Sequence, residues 1–131
     1  MRFYCPKCWK DFSEDLDICP YCGLKIKKFW DKLDRIEKLI ISLNHPEDPT
    51  KLRSAWLLGK SGDKRALAPL VKICKNSTDP YLVRECVKAI AGIGGEGSID
   101  ILKEMCNHHA KMVRDTAQKA IEQLKTGPSS Q

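Results

Sequence analysis

Four of the seven cysteines in this 131-residue chain lie within its first 23 residues. They form two Cys-Pro-x-Cys pairs, Cys5/Cys8 and Cys19/Cys22, separated by ten residues. Each pair can supply two thiolates from one tight turn, and four thiolates suit a tetrahedral metal ion. The spacing therefore predicts a metal site with zinc as its occupant and iron as the alternative. With four protein ligands such a site has no open position for substrate, so a structural role is predicted.

Two other uses of these cysteines are less favoured. Seven is an odd number, which fits a disulfide framework poorly, and the chain shows neither a signal-peptide pattern nor an apolar run of roughly 20 residues that could span a membrane. We therefore expect a cytoplasmic protein, in which clustered cysteines bind metals more often than they form disulfides. A redox pair of the thioredoxin kind would need a strand–helix context that is missing here.

Residues 1–28 must fold around this site, and a segment so short cannot bury enough apolar surface without help from the metal. Gly23 can adopt the positive φ that completes a turn after the second pair, whereas Trp9 stands at that place after the first. The two pairs, CPKC and CPYCG, resemble those of a short zinc ribbon. Apolar side chains are expected to shield the sulfurs: Phe3, Tyr4, Trp9, Phe12, Ile18 and Tyr21.

The rest of the chain repeats itself with a period near 31 residues. Beyond a short polar link at residues 25–28, apolar stripes at helical spacing recur as Ile36/Leu39/Ile40/Leu43, Leu67/Leu70/Val71/Cys74 and Ile99/Leu102/Cys106. The Asp-Pro pairs at 48–49 and 79–80 mark helix starts, with each Asp as a cap. Six helices are predicted, over residues 30–44, 50–60, 64–76, 81–92, 97–108 and 110–125.

These helices pair into three hairpins, and a repeat of this length predicts an all-α solenoid. The predicted organisation is a zinc ribbon over residues 1–28, a solenoid over 29–125 and a disordered tail over 126–131. The hairpins are expected at residues 30–61, 62–94 and 95–125. Because the end of a solenoid exposes an apolar face, the ribbon is expected to cover Leu33, Ile36 and Ile40.

The order of Leu-x-x-Leu, Asp-Pro, Val-Arg and Gly in each period resembles HEAT repeats, and the short period most resembles the type named after phycobilisome lyases. The resemblance implies ion pairs between Asp48 or Asp79 and the repeated arginines Arg53, Arg84 and Arg114. It also implies that the second helix of each hairpin lines a concave partner-binding face. That face would present Lys51, Ser54, Leu58, Glu85, Lys88, Lys111, Asp115, Gln118 and Lys119.

Nothing in the sequence matches a catalytic motif, so no enzyme activity is predicted. The cysteines outside the ribbon (Cys74, Cys86 and Cys106) are expected in the core and the three histidines (His45, His108 and His109) in turns. Trp30 and Trp56 are expected to cover the first hairpin and its junction with the ribbon, whereas an exposed tryptophan would instead be a binding anchor.

The net charge of +6 is distributed, with six Lys/Arg against four Asp/Glu in residues 1–28 and seventeen against thirteen in residues 29–131. The leading hypothesis is a non-enzymatic adaptor that binds a protein partner, and the sequence does not define its oligomeric state. The alternative is RNA or DNA binding through the basic ribbon and the solenoid face. A lyase-like enzyme role would rest on fold analogy alone.

Overall fold

Two strands of two residues each begin the chain in the computed structural model. Strand β1 (Phe3–Tyr4) pairs with the antiparallel strand β2 (Asp11–Phe12), so that Phe3 lies opposite Phe12. The structure describes residues 2–126, apart from the side chains of Glu96, Lys125 and Thr126. Residues 127–131 of the predicted disordered tail lie outside this range.

Seven α-helices follow the strands within the described part of the chain. A 3₁₀ turn at Lys64–Ala66 precedes the fourth of them. The helices are α1 (Ile26–Asp31), α2 (Arg35–Ser42), α3 (Asp48–Ser61), α4 (Leu67–Asn76), α5 (Pro80–Ile93), α6 (Glu96–Met105) and α7 (Lys111–Thr126).

The single helix predicted over residues 30–44 is wrong, because α1 ends at Asp31 and α2 begins at Arg35. A capping box separates the two helices. The Asp34 carboxylate accepts a hydrogen bond from the Glu37 N–H at 2.9 Å, and the Glu37 carboxylate accepts one from the Asp34 N–H at 3.0 Å. This reciprocal pair satisfies two N–H groups that a new helix start would otherwise leave without partners.

The polar link predicted at residues 25–28 is also wrong. Ile26 begins α1 and is buried with Cys5, Phe12 and Cys19 in a small apolar cluster of the ribbon, against which Trp30 packs. One face of α1 therefore completes the ribbon core, and the connection to the solenoid falls at the turn between α1 and α2.

The remaining helices form three hairpins, α2/α3, α4/α5 and α6/α7, which confirms the predicted all-α solenoid. The second helices α3, α5 and α7 lie side by side, and α5 is the central element. It buries Val83, Cys86, Val87 and Ile90, and a single apolar core runs from Leu43 to Ala120 through all three hairpins.

Helices α3 and α5 approach each other closely at Gly59. A β-carbon at this position would lie 2.7 Å from the Ala89 Cα, which is shorter than a van der Waals contact allows. One at Gly92 would lie 3.2 Å from the Gly59 carbonyl oxygen. Two glycines and an alanine thus set the distance between the first two hairpins.

The same type of hydrogen bond, between a side chain and a nearby backbone N–H, recurs in the turn before the second helix of every hairpin. The side chains of His45, Ser77 and His108 accept hydrogen bonds from the N–H two residues later at 3.0, 3.1 and 3.0 Å. In the third hairpin, which lacks Asp-Pro, Arg114 also donates to the carbonyls of His108 and His109 at 2.8 and 2.9 Å. The histidines therefore serve as turn residues, as predicted.

The two Asp-Pro pairs differ in their capping. Asp79 caps α5 by accepting a hydrogen bond from the Tyr81 N–H at 3.0 Å, whereas Asp48 lies inside the first turn of α3 and pairs with Lys51 at 3.6 Å. The prediction that Asp48 caps its helix is therefore wrong. Among the described residues, no ion pair links either aspartate to Arg53, Arg84 or Arg114, so the ladder implied by the resemblance does not form.

Replacing Asp79→Ala is expected to lower the free energy of unfolding by about 1 kcal/mol, because the first turn of α5 loses its side-chain cap. Asp48→Ala is the matched control, since Asp48 also precedes a proline but caps nothing, and should cost at most about 0.5 kcal/mol. Urea denaturation of both variants provides the comparison. Equal losses in the two variants would contradict the assignment of the cap.

Candidate metal centre and helical surface

The two cysteine pairs adopt the same backbone turn. The Trp9 N–H bonds to the Cys5 carbonyl at 2.8 Å, and the Gly23 N–H bonds to the Cys19 carbonyl at 3.0 Å. The residue after each pair has a positive φ, 60° at Trp9 and 81° at Gly23. Trp9 therefore takes the left-handed conformation that glycine adopts more readily, at a cost of about 1–2 kcal/mol.

These turns bring all four predicted metal ligands together. The Sγ atoms of Cys5, Cys8, Cys19 and Cys22 lie within 4.8 Å of one another. Two contacts between the pairs are Cys5–Cys22 at 3.5 Å and Cys8–Cys19 at 3.7 Å. A tetrahedron with metal–sulfur bonds of about 2.3 Å has edges of about 3.8 Å. Disulfides would require about 2.05 Å. The four sulfurs therefore fit a metal ion and are not bonded to each other.

Backbone N–H groups also favour thiolates at this site. The N–H groups of Lys7 and Tyr21 donate to the sulfurs of Cys5 and Cys19, each at 3.4 Å. Desolvation raises the pKa of Cys19, but hydrogen bonds from the backbone of Cys22 and Tyr21 and from neighbouring thiols lower it to about 6. The lowered pKa favours the thiolate form of Cys19, which is the form that metal binding requires.

Cys22 has the opposite tendency within the cluster of sulfurs. The Leu24 backbone lowers its pKa, but desolvation and hydrogen bonds shared with the thiols of Cys5, Cys19 and Cys8 outweigh this and raise it to about 11. Four thiolates cannot coexist so close together without a compensating cation. A divalent ion would supply that compensation, so the residues present fit a tetrahedral thiolate metal.

An aromatic contact joins the ribbon to the solenoid. The His45 ring lies 4.5 Å from the Tyr4 ring and 5.3 Å from the Trp9 ring, both edge to face, and the Tyr4 hydroxyl donates to the Glu47 carboxylate at 3.0 Å. Burial lowers the pKa of His45, which favours the neutral ring whose Nδ1 accepts the Glu47 N–H. The Trp9 ring thus makes a contact with His45 that a glycine at this position could not make.

Of the three apolar residues that the ribbon is predicted to cover, two pack against the solenoid, whereas the covering of Leu33 stays a prediction. Ile36 and Ile40 pack, partly buried, against the solenoid core, because the apolar stripe of α2 faces α3. The ribbon contacts the loop between α2 and α3 instead, and its own core is a separate cluster.

We expect the double variant Tyr4→Phe, His45→Ala to loosen the ribbon from the solenoid while both remain folded. The change removes the hydroxyl bond to Glu47 and the ring between Tyr4 and Trp9, so their amide NMR signals should shift and proteolysis between α1 and α2 should accelerate several-fold. Tyr21→Phe, at an exposed ribbon tyrosine, is the control. Unchanged proteolysis in the double variant would contradict the docking role.

The predicted partner-binding residues divide into three groups by their exposure. Ser54 is 3% exposed and Leu58 fully buried, because α3 packs between α2 and α5, so neither can be presented to a partner. Lys51 and Glu85 are half-buried. The others are exposed on α5 and α7, namely Lys88, Lys111, Asp115, Gln118 and Lys119. Among these, Lys88 pairs with Glu85 at 3.7 Å and Lys111 with Asp115 at 3.0 Å.

The structure adds two aromatic residues to this surface. Trp56 is 51% exposed on α3 and Tyr81 is 55% exposed at the start of α5, and both line the same cleft. The expectation that Trp56 covers the hairpin is wrong, whereas Trp30 does pack against the ribbon. Exposed aromatic rings between neighbouring repeats are typical of binding anchors.

The other candidates for chemistry have structural roles. Burial raises the pKa of Cys74 to about 12, and burial likewise raises the pKa of Cys86. Within residues 2–126, the four ribbon cysteines form the one group of three or more Cys, His, Asp or Glu side chains close enough to hold a metal. None of the described helices is both long and apolar enough to cross a membrane.

This architecture of stacked helical hairpins defines an α-solenoid, and comparison with known proteins specifies which kind. The family model for HEAT repeats matches residues 36–122, so the chain belongs to the HEAT repeat family. It is also 27% identical over 92 residues to the deoxyhypusine hydroxylase of Phaeosphaeria nodorum (strain SN15). The matched part covers 68% of this chain but 28% of that protein's length.

Proposed function

We propose that this protein is a non-enzymatic adaptor that binds a protein partner through the exposed side of α3, α5 and α7. The observation that carries the proposal is the row of three adjacent second helices, whose exposed side combines aromatic anchors with charged side chains. HEAT repeats present extended surfaces of this kind because each repeat contacts only its neighbours. We also propose a cytoplasmic location, consistent with seven free cysteines.

Crosslinking in the native host tests this proposal. The metal-loaded chain carrying a photo-crosslinker should capture a protein whose recovery falls in the double variant Lys88→Glu, Lys119→Glu. The double variant Lys72→Glu, Lys75→Glu, at two exposed lysines on the first helix of the second hairpin, is the charge-matched control. Treatment with nuclease before capture excludes a nucleic-acid bridge. Recovery that is equal in all three proteins would contradict the proposed surface.

We propose Zn²⁺ as the resident metal and a structural role for it, because four thiolates leave no position for a substrate. Fe would use the same sulfurs, and metal analysis with visible absorption distinguishes the two, since ferric thiolate sites are coloured. We further propose that the repeats are of the short type named after phycobilisome lyases, on the basis of their period near 31 residues.

Nucleic-acid binding is the second candidate, and one feature of the ribbon favours it. Tyr21 is 58% exposed and the Lys10 ammonium lies 5.1 Å from its ring, an arrangement on which a base could stack. Against it, Arg2 pairs with Asp11 and Lys27 with Asp17, which reduces the free positive charge. Titration with short RNA and DNA at two salt concentrations tests it, because phosphate contacts are strongest at low salt.

An enzymatic role receives no support from the side chains. The hydroxylase to which the chain is similar is more than three times longer than the matched segment, so its activity does not transfer. The Nδ1 atoms of His45 and His108 accept backbone N–H groups in turns, which occupies one nitrogen of each ring. We therefore propose no hydroxylase or lyase activity.

A further inference from the structure

Two arginines on the exposed side of α3 and α5 lack the partners that engage other arginines of the chain. Arg65 bonds to the carboxylates of two aspartates, and Arg114 bonds to two backbone carbonyls. Within residues 2–126, by contrast, neither Arg53 nor Arg84 makes an ion pair or a hydrogen bond. In the described part of the chain, therefore, no acceptor group compensates their positive charges.

Both arginines line one cleft between the first two hairpins. The cleft has a volume of about 360 Å³, and the Trp56 and Tyr81 rings also line it. The Arg84 guanidinium carbon lies 5.7 Å from the centre of the Tyr81 ring, and its Nε is shielded from solvent without a hydrogen-bond partner. Packing against the ring thus restricts this guanidinium before any ligand arrives.

The charges around the cleft are mostly positive. The Lys60 ammonium lies 5.4 Å from the centre of the Trp56 ring, and Lys60 and Lys88 line the adjoining depression. Among the described residues that line the cleft and this depression, Glu85 is the one acidic residue, and it pairs with Lys88 at 3.7 Å. Two arginines and two lysines against one glutamate attract a negatively charged ligand.

We propose that the Arg53–Arg84 cleft binds a carboxylate side chain of an acidic peptide segment in the partner protein. A planar guanidinium matches a carboxylate in two parallel hydrogen bonds, and the Trp56 and Tyr81 faces pack against an apolar residue beside it. The proposal rests on the proposed adaptor function and specifies the chemistry of its partner.

A polynucleotide suits this surface less well than a peptide. A phosphate backbone that continued from the cleft across the neighbouring helix α7 would meet carboxylates among the lysines, because Asp115 is exposed there and pairs with Lys111 at 3.0 Å. The positive charge is concentrated at one cleft instead of forming the track along which phosphates bind. A short segment with one or two acidic residues fits the cleft without reaching α7.

NMR titration of the metal-loaded full chain tests the inference directly. The probes are a blocked decapeptide in which Asp and Glu alternate with Leu and Phe, the same peptide with Asn and Gln as replacements, and single-stranded DNA of ten nucleotides. The chain has three tryptophans, and a Trp56→Phe variant identifies the indole signal of Trp56. The acidic peptide should shift this signal, and the amide peptide should bind at least tenfold more weakly.

Variants separate the cleft from general attraction between charges. Arg53→Ala, Arg84→Ala should weaken binding of the acidic peptide at least tenfold, whereas Arg35→Ala, at an exposed arginine of α2 outside the cleft, should leave it within twofold. Thermal melting verifies that each variant is folded, and Arg53→Ala alone avoids disturbing the packed Arg84. Equal affinity in the double variant, equal binding of both peptides, or tighter binding of DNA at the Trp56 signal would overturn the inference.

The crosslinking experiment keeps this inference distinct from the proposed function. If capture of the partner depends on Lys88 and Lys119 but not on Arg53 and Arg84, the adaptor function is supported. The inference that the cleft binds an acidic segment is then contradicted. Loss of capture in the arginine variant as well, together with the tenfold effect on the acidic peptide, would support both.

Discussion

Chelation of the bound metal is expected to unfold the ribbon while the solenoid keeps its helices. The ribbon core consists of Cys5, Phe12, Cys19 and Ile26, too few side chains to hold two strands of two residues each. Binding of a thiolate metal contributes on the order of 10 kcal/mol to such modules. The solenoid has its own continuous core, so far-UV circular dichroism should fall only by the contribution of α1 and the strands.

Thiol labelling tests this prediction by counting the thiols of each chain that react quickly. All seven cysteines are free, but Cys74 and Cys86 are buried, and burial raises the pKa of both. In the metal-loaded protein only the half-buried Cys106 should react quickly with a disulfide reagent. After chelation the four ribbon thiols become accessible, so the number of fast-reacting thiols per chain should rise from about one to about five.

Two serine variants test whether the metal site is responsible. Cys19→Ser removes the ligand with the lowered pKa and should reduce bound metal to well below one ion per chain. Cys106→Ser, outside the cluster, should keep full metal content and an unchanged ribbon. Fewer than about one zinc or iron in the freshly purified, unoxidised native chain would contradict the site.

The sequence predicted the parts of this fold that depend on regular spacing. The four cysteines were identifiable because two tight turns suffice to bring them together, and the helices from α3 onward because their apolar residues repeat. The break between α1 and α2 was missed because the apolar periodicity runs through it. The signal that marks it is the Asp34-x-x-Glu37 capping box, which is readable in the sequence.

Exposure on α3 could not be predicted in the same way. Periodicity shows which residues share a face of a helix, but α3 contacts both α2 and α5, so its buried arc is wide. Ser54 and Leu58 fall inside that arc and Trp56 outside it. These positions depend on how neighbouring repeats pack, which is a tertiary effect that local pattern does not encode.

Replacing Gly59→Ala is expected to produce the largest loss of stability for a single added methyl group. The new β-carbon would lie 2.7 Å from the Ala89 Cα and 3.0 Å from its Cβ, so backbone must move. Overpacking of this kind costs about 1–3 kcal/mol and exceeds the gain of up to about 1 kcal/mol in helix propensity. We expect a net loss of about 2 kcal/mol, measured by urea denaturation of the metal-loaded chain.

Gly97→Ala is the matched control, because Gly97 lies in α6 and a β-carbon there would meet nothing within 4 Å. Helix propensity acts alone at that site and should leave stability unchanged or slightly higher. Stability in Gly59→Ala equal to that of this control would show that the two helices can separate without cost.

A second substitution identifies which atoms resist the added methyl group. Ala89→Gly removes the facing β-carbon but leaves the Cα at 2.7 Å, so the double variant Gly59→Ala, Ala89→Gly should recover little stability. Full recovery would instead show that the unfavourable contact is between the two β-carbons and not with the Ala89 backbone. The distinction matters for binding, because the separation of α3 and α5 also sets the distance between Arg53 and Arg84 across the cleft. Gly59→Ala should therefore weaken binding of the acidic peptide even at temperatures where the variant remains folded.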